Sequence, residues 1–362
     1  MWLSFEHSTP VLARLRAALA RAAPQVHVYA AEYERIRYLA PLAQDSWPAA
    51  GRSWRVTSGQ EFPERVDVLI ITDHGTDLLA PIWNLRRTRP DAVCLLWLWD
   101  NHLKYQNNFR SAVAADGYFA SHGFCMDYLL NPYSARLGHL PMGCAQWNAA
   151  EIGAALASAR PRSDKFLAAY VEYEFSPRHR FLQGLANIPE AALLLMAPQD
   201  ISRYFGQSKA QQLAEWCSYK TSVVVPVERD LSTRLFDALA CGQIPLVSDA
   251  VVDLDRVIPP ELQASLPILR FRDGDTGALL AAHAEAIRRF DAEGEAGIRR
   301  RHHFVASGHM LQHRLAAMLA VLVALDQGQA GIAYHPASGG LTLQARAGTA
   351  AGPPRSAGPP RA

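Results

Sequence analysis

Short runs of apolar residues alternate with amphipathic stretches of helical length along most of this chain. In the first half, Val66–Ile71, Ala92–Trp99 and Gly117–Ala120 are almost continuously apolar, which is typical of strands buried on both faces. The stretches between them, Thr76–Thr88 and Lys104–Ala115, have the length and periodicity of helices. This alternation predicts βαβ units, and therefore parallel sheets with helices on both faces.

A second series of predicted strands and helices begins after the Ala-rich stretch Ala149–Asp164. The chain has 362 residues, which is enough for two domains. We therefore predict an α/β protein with two Rossmann-like, doubly wound domains, at residues 1–150 and 151–330. Because such sheets bind ligands at the carboxyl ends of their strands, we expect the two domains to face a common cleft. Residues 336–362 are rich in Ala, Gly and Pro, and we predict a disordered tail.

The composition argues against several classes of protein. The chain has 36 Lys and Arg against 34 Asp and Glu, whereas a nucleic-acid-binding protein needs a strongly basic surface. Five cysteines without a C-x-x-C pair indicate a reducing compartment. The sequence contains neither a signal peptide nor an apolar run of the roughly 18 residues that a membrane span needs, so we expect a cytoplasmic protein. The arginine-bearing helix predicted at Thr9–Ala23 either packs on a sheet or makes peripheral contact with an anionic membrane.

The segment Ser222–Asp249 is the most informative stretch of the sequence. It predicts a strand, a polar loop, a helix and a second strand, in that order. Ser232 and Thr233 are suitable N-cap residues, and Gly242 stands where a helix commonly ends in a left-handed residue. The helix start therefore points its free N–H groups at the carboxyl edge of the sheet, which predicts an anion-binding site.

Charged residues flank this predicted helix start. Arg229 and Arg234 would supply positive charge for a diphosphate, and Asp237 follows about one turn into the helix, at a distance suited to ribose hydroxyls. The alternative interpretation is a purely structural amphipathic helix, with its apolar residues in the core and Asp237 in solvent.

The run Thr233–Asp249 (TRLFDALACGQIPLVSD) resembles the donor-site helix and strand of exostosin-like and bacterial group 1-like (spore-coat-type) glycosyltransferases. The resemblance implies the GT-B architecture of two facing Rossmann-like domains. It also implies that Asp237 contacts the ribose of a nucleotide-sugar donor, and that Ser232, Thr233 and Arg234 face the diphosphate. Exostosins carry a membrane anchor that this sequence lacks, so a bacterial cytoplasmic relative is the closer likeness.

Two looser similarities extend the match. Ala169–Leu182 resembles the first strand and helix of the same domain in that family, which implies a phosphate contact from Arg178 or Arg180. Arg299–Leu315 resembles the family's closing segment. The chain also departs from the pattern, because Arg229 stands where retaining group 1 enzymes carry a glutamate. Either the neighbouring Glu228 substitutes for that glutamate, or the site differs in stereochemistry. The resemblance therefore leaves open whether the mechanism is retaining or inverting.

Polar residues follow the predicted strands of the first domain. Asp100 and His102 come after one strand, and His74 and His122 come after its neighbours. We favour Asp100 and His102 as the catalytic pair on the acceptor side, with the carboxylate as base or as the group that orients the imidazole. The alternative is that these residues cap the helices that follow.

The resemblance as a whole implies transfer of a sugar from a nucleotide diphosphate, UDP- or GDP-linked, to a saccharide or protein acceptor. The nucleotide sugar is a co-substrate, and no further cofactor is implied. Two D-x-D tripeptides, Asp253–Asp255 and Asp273–Asp275, are expected by chance, so no metal site is predicted. A sugar-nucleotide epimerase on the same scaffold and a non-catalytic nucleotide-sugar-binding module are the alternative functions.

Overall fold

The fold was analysed in a computed structural model, which describes residues 9–30, 44–73, 79–158, 161–171, 176–196, 206–335 and 338–345. The first elements in chain order are α1 Thr9–Leu19, β1 Gln25–Ala30, β2 Gln44–Ala49, β3 Arg52–Gly59, β4 Val68–Asp73, α2 Leu79–Thr88, β5 Val93–Leu98, α3 Tyr105–Ala114, β6 Gly117–Ala120 and β7 Ala135–His139. A 3₁₀ segment, Gly123–Leu129, connects β6 to β7.

The chain continues with α4 Ala149–Ala157, β8 Ser163–Val171, α5 Pro177–Gly184, β9 Ala191–Met196, α6 Lys209–Cys217, β10 Tyr219–Val224, α7 Thr233–Ala240, β11 Ile244–Ser248, α8 Leu254–Val257, α9 Pro260–Ser265, β12 Leu269–Phe271 and α10 Thr276–Gly308. It ends with α11 Leu311–Asp326, β13 Ala330–His335 and β14 Gly340–Ala345.

The chain forms two compact units. Among the described residues, the first unit comprises those in 9–141 and 311–345, and the second comprises those in 142–310. The predicted second domain, 151–330, therefore differs from the second unit at both ends. The difference is largest for α11, which contacts α1 and lies with the first unit.

The sheet of the first unit has nine strands in the order β13-β14-β7-β6-β5-β4-β1-β3-β2. The strands from β3 to β14 in that order pair in parallel, and only the outermost pairs, β2 with β3 and β13 with β14, are antiparallel among the strands that the structure describes. Every residue of β5 and β6 is buried, as expected for strands covered on both faces.

The second unit contains a five-stranded, fully parallel sheet in the order β12-β11-β10-β8-β9. The chain runs outward from β8 to β9 on one side and from β10 to β12 on the other, so the strand order reverses between β8 and β10. Such a reversal opens a crevice at the carboxyl ends of the two strands, where doubly wound sheets bind their ligands. The predicted α/β fold with two Rossmann-like units is confirmed.

The prediction of a disordered tail from residue 336 is wrong for part of that segment. Residues 340–345 form β14, in which Leu341 and Thr342 pair with β7 at Ala135 and Arg136. The sequence GLTLQA contains enough apolar residues to bury its first half. The prediction used the average composition of the whole tail, which conceals this short apolar stretch. Residues 346–362 lie outside the described part of the chain.

Among the helices that the structure describes, none combines the length and the apolar character that crossing a membrane would need.

Candidate functional site

The carboxyl ends of β8 and β10 are each followed by a capped helix. In α5, the Ser176 side chain accepts a hydrogen bond from the backbone N–H of His179. In α7, Ser232 is the N-cap, as predicted, and its Oγ accepts a bond from the backbone N–H of Arg234 at 3.3 Å. Two helices thus begin at the point where the strand order reverses, and the positive end of a helix dipole favours an anion there.

Two arginines lie over one aromatic ring at this edge. The guanidinium carbons of Arg234 and Arg178 are 4.2 Å and 4.8 Å from the centre of the Tyr170 ring. Arg234 also donates from Nε to the Ala169 carbonyl at 2.6 Å and from Nη1 to Ser232 Oγ at 3.1 Å. Arg178 is 5% exposed and donates from Nη2 to the Val171 carbonyl at 3.4 Å. The end of β8 therefore holds both cations in place.

The Tyr170 ring is itself fixed by buried hydrogen bonds. Its hydroxyl donates to the Val223 carbonyl and accepts from the Val225 N–H, both at 2.8 Å. Burial raises the pKa of the Tyr170 phenol above its ordinary value, although Arg234 and Arg178 act in the opposite direction. The phenol therefore stays neutral at physiological pH and brings no negative charge to the two arginines.

The loop between β10 and α7 is strained at its tip. Arg229 has a φ angle of +115°, a conformation that costs a non-glycine residue about 1–3 kcal/mol and often marks a functional site. The carboxylate of Asp230 holds the loop by accepting bonds from Val227 N at 2.6 Å and Glu228 N at 3.2 Å. The side chains of Glu228 and Arg229 are exposed.

Asp237 is buried within the second unit. The residue is 0% exposed, and its Oδ2 accepts a hydrogen bond from Gln146 Nε2 at 3.2 Å. Burial raises the pKa of the carboxyl to about 6, although hydrogen bonds from Cys144 and Gln146 and the charge of Arg234 lower it. The alternative of a solvated Asp237 is therefore wrong, because the carboxylate is buried in the second unit. The predicted contact between Asp237 and a donor ribose stays a prediction.

The remaining predicted donor residues differ in their placement. Thr233 is the first residue of α7 and is half-buried. Arg180 is exposed, whereas Arg178 is buried against Tyr170.

The first unit brings two histidines together at the carboxyl ends of β5 and β6. The rings of His102 and His122 lie edge to face, with their centres 4.2 Å apart. Buried Asn101 joins the two strand ends, since it accepts from His122 N at 3.0 Å and donates to the His122 carbonyl at 3.1 Å. In the described part of the chain, no hydrogen bond joins Asp100 to His102. His74 falls outside the described residues.

The two D-x-D tripeptides have structural partners. Asp255 accepts from Gln263 Nε2 at 2.7 Å, Asp273 accepts from Ser248 Oγ at 2.6 Å, and Asp275 caps α10. Within the described ranges, no group of three His, Cys, Asp or Glu residues is arranged to hold a metal ion.

Two residues of these sites were missed by sequence reasoning: Tyr170 and Gln146. Each acts through a partner far along the chain, and the sequence pattern contains no signal for such a pairing. Only Tyr170 had an indirect indication, because it stands at the end of an apolar strand inside the segment that resembles the donor domain.

No family model matches the chain, and no curated protein matches it. Solved structures with a similar fold include the catalytic domain of starch synthase IV from Arabidopsis thaliana, bound to ADP and acarbose, at 11% identity over 72% of this chain and 73% of that chain, with a TM-score of 0.43. Sucrose-phosphate synthase from Thermosynechococcus elongatus matches at 14% identity over 84% and 100% of the two chains, with a TM-score of 0.49. An α1,3-fucosyltransferase with GDP-fucose matches at 11% over 87% and 97%, with a TM-score of 0.42. At these identities and TM-scores the likeness identifies neither a family nor an activity.

Proposed function

We propose that this chain is a GT-B-type glycosyltransferase that moves a sugar from a nucleotide diphosphate to a saccharide or protein acceptor. The observation that carries the proposal is the pair of arginines, Arg178 and Arg234, held on Tyr170 between two helix starts at the reversal of the strand order. Two guanidinium groups and two positive helix ends match the charge of a diphosphate.

In this proposal the cationic edge of the second unit binds the donor and stabilises its leaving group. The departing nucleotide diphosphate gains negative charge as the bond to the sugar breaks, and fixed positive groups stabilise that charge. Arg234 has a suitable donor remaining, because its hydrogen bonds use Nε and Nη1 but not Nη2. Ser232 and Thr233 present the start of α7 to the phosphates.

Asp237 acts in this proposal as a positioning residue. It lies within the helix that carries Arg234, and its bond to Gln146 ties that helix to the segment before α4. In that case, other groups at the carboxyl edge of the second sheet bind the donor ribose. The nucleotide screen described below distinguishes a uracil-containing donor from a guanine-containing one.

The acceptor side of the proposal rests on the first unit. An acceptor hydroxyl becomes a better nucleophile when a base takes its proton, and imidazole is well suited to that role near neutral pH. We assign this role to His102, with His122 against its ring and Asp100 beside it in the chain. The nucleotide sugar serves as co-substrate, and the proposal includes no metal or other cofactor.

A thermal-shift screen against UDP, GDP, ADP, CMP and dTDP tests the donor site. A nucleotide that binds only the folded protein at 100 times its Kd adds about 2.7 kcal/mol of stability, which is roughly 5–10 °C in the melting temperature of a unit of this size. We expect UDP or GDP to give such a shift and its nucleoside alone to give little. The absence of any shift with all five nucleotides would contradict the proposal.

Turnover separates the proposed transferase from the alternative functions. A transferase releases the nucleoside diphosphate faster when an acceptor saccharide is added, whereas an epimerase does not depend on one. Binding of the nucleotide sugar without any release of nucleoside diphosphate would instead favour a non-catalytic module. The exposed Arg229, in place of a glutamate, is the feature that raises this alternative.

A further inference from the structure

Two cysteines meet at the amino edge of the sheet in the second unit, opposite the donor site. Cys217 is the last residue of α6, and Cys241 is the C-cap of α7. The strands that follow, β10 and β11, are neighbours, with Thr221 paired to Ile244. Ser218 and Cys241 stand three residues before the two members of that pair, so the chain segments that contain Cys217 and Cys241 enter neighbouring strands.

Side-chain contacts support this placement independently of the register. Arg162 Nη1 donates to the Cys241 carbonyl at 2.9 Å and to the Tyr219 carbonyl at 3.1 Å, so both chain segments lie against one guanidinium. The Cys217 and Cys241 side chains also influence each other's pKa, as neighbouring groups do.

One of the two thiols is accessible from a cavity. The cavity provides about 90 Å³ of space for solvent, and its lining includes Cys217, Arg162, Ser218 and Glu295. Cys217 is half-buried, whereas Cys241 is 0% exposed. A small reagent in the cavity can therefore reach Cys217 first.

We propose that Cys217 is a peroxide-sensitive thiol and that Cys241 resolves its oxidised form as an intramolecular disulfide. In the first step the Cys217 thiolate attacks a hydroperoxide; an S–O bond forms, the O–O bond breaks, and the leaving hydroxide or alkoxide takes up a proton. In the second step the Cys241 sulfur attacks the Cys217 sulfur; the S–S bond forms, the S–O bond breaks, and water leaves with the Cys241 proton. With hydrogen peroxide, two thiols and one peroxide give one disulfide and two waters.

The charges around Cys217 suit the attacking role. The hydrogen bond from Cys241 and the positive charge of Arg162 lower the pKa of the Cys217 thiol, although burial acts in the opposite direction. Cys217 lies at the negative end of α6, which disfavours a thiolate there. The positive charge of Arg162, which is fixed nearby by its bond to the Cys241 carbonyl, offsets this effect. Burial raises the pKa of Cys241, so this thiol keeps its proton until the second step.

Peptide mapping after peroxide treatment tests the proposal. Trypsin places Cys217 in peptide 210–220 and Cys241 in peptide 235–256. We expect one equivalent of hydrogen peroxide to join these peptides with the loss of two hydrogens, and dithiothreitol to separate them. Cys94, Cys125 and Cys144 are buried cysteines outside any disulfide and serve as internal controls, expected to react with N-ethylmaleimide at least tenfold more slowly than Cys217 in the folded protein.

Variants separate the two roles. Cys241→Ala is expected to stop the reaction at the sulfenic acid, which dimedone traps in peptide 210–220, whereas Cys217→Ser should leave Cys241 reduced. If Cys217→Ser folds poorly, Cys217→Ala removes the same thiol and replaces it in the test. The proposal is overturned if both thiols remain free after peroxide treatment of the folded parent, or if peroxide oxidises Cys241 equally well without Cys217. These readouts do not depend on nucleotide binding or sugar transfer.

Discussion

The carboxyl edges of the two sheets are built in the same way but present different chemistry. In the first unit, buried Asn101 accepts from and donates to the backbone of His122, just beyond the neighbouring strand. In the second unit, the Tyr170 hydroxyl donates to Val223 and accepts from Val225 in the equivalent manner. In both units, one side chain at a strand end bonds two backbone groups at the end of the neighbouring strand. These bonds fix the loop that follows that strand.

The fixed loops carry different residues. The edge in the second unit holds Arg178 and Arg234 between two helix starts, which suits a group with two negative charges. The edge in the first unit holds the paired imidazoles of His102 and His122, which suit proton transfer. The same kind of sheet edge can therefore present either permanent cations or titratable bases, depending on the residues that follow its strands.

The largest effect is expected at the imidazole edge. His102→Gln removes the proposed base, and loss of general base catalysis lowers kcat by roughly 100- to 10,000-fold. Donor affinity should stay unchanged, because the diphosphate is assigned to the second unit. Release of the nucleoside diphosphate from the sugar donor chosen by the thermal-shift screen measures kcat, and melting shifts measure affinity. His303→Gln, an exposed histidine on α10, is the matched control. A variant with parental kcat would remove His102 from the mechanism.

The second effect is expected at the cationic edge. Arg234→Ala should weaken binding of the nucleoside diphosphate roughly 10- to 150-fold, which corresponds to the about 1.5–3 kcal/mol of a hydrogen bond to a charged group. Binding of the matching nucleoside should hardly change, since it lacks the phosphates. Arg288→Ala removes an arginine that is 71% exposed on α10 and controls for net charge. Equal losses for the nucleoside and the diphosphate would mean that Arg234 supports the fold rather than the anion.

Much of this second edge follows from local sequence. Ser232 caps α7 as its position before an apolar periodic run predicts, and Gly242 adopts the positive φ of +74° expected after a helix end. At Gly242 the space is also closed, because an added Cβ would lie 2.6 Å from Ile298 Cγ2. Signals of this kind depend only on residues a few positions apart, which a single sequence contains.

The features that depend on distant residues could not be predicted. The burial of Asp237 requires Gln146, 91 positions earlier in the chain. The return of α11 to the first unit is likewise invisible to periodicity, which describes one helix and not its packing partner. The sequence places Asp100 near His102, but it does not show that the ring of His102 packs against His122 at the end of the neighbouring strand.

The smallest effect concerns a buried carboxylate in each unit. Asp116, in the first unit, is 3% exposed and bonded to Arg14 and Arg86. Asp237, in the second, is fully buried beside the neutral Gln146 and Cys144. Its pKa is raised from 3.8 to about 6, so the folded protein keeps a proton that the unfolded chain releases, and stability falls as the pH rises from about 4 to 6.

Asp237→Asn should therefore remove a pH-dependent cost. Relative to the parent, this variant should be more stable at pH 7.5 than at pH 4.5, with a free energy of unfolding roughly 2 kcal/mol larger, as measured by urea denaturation at both values. Asp116→Asn is the contrasting variant: it leaves two arginines without their carboxylate and should lose stability at pH 7.5. If Asp237→Asn tracked the parent at both pH values, the carboxyl would ionise normally in the folded state, and the contrast between the two aspartates would fail. The opposite result has two parts: Asp237→Asn shows the expected pH-dependent gain in stability, and only Arg234→Ala weakens binding of the nucleoside diphosphate. Together they would indicate that Asp237 supports α7 from the protein interior and does not contact the donor.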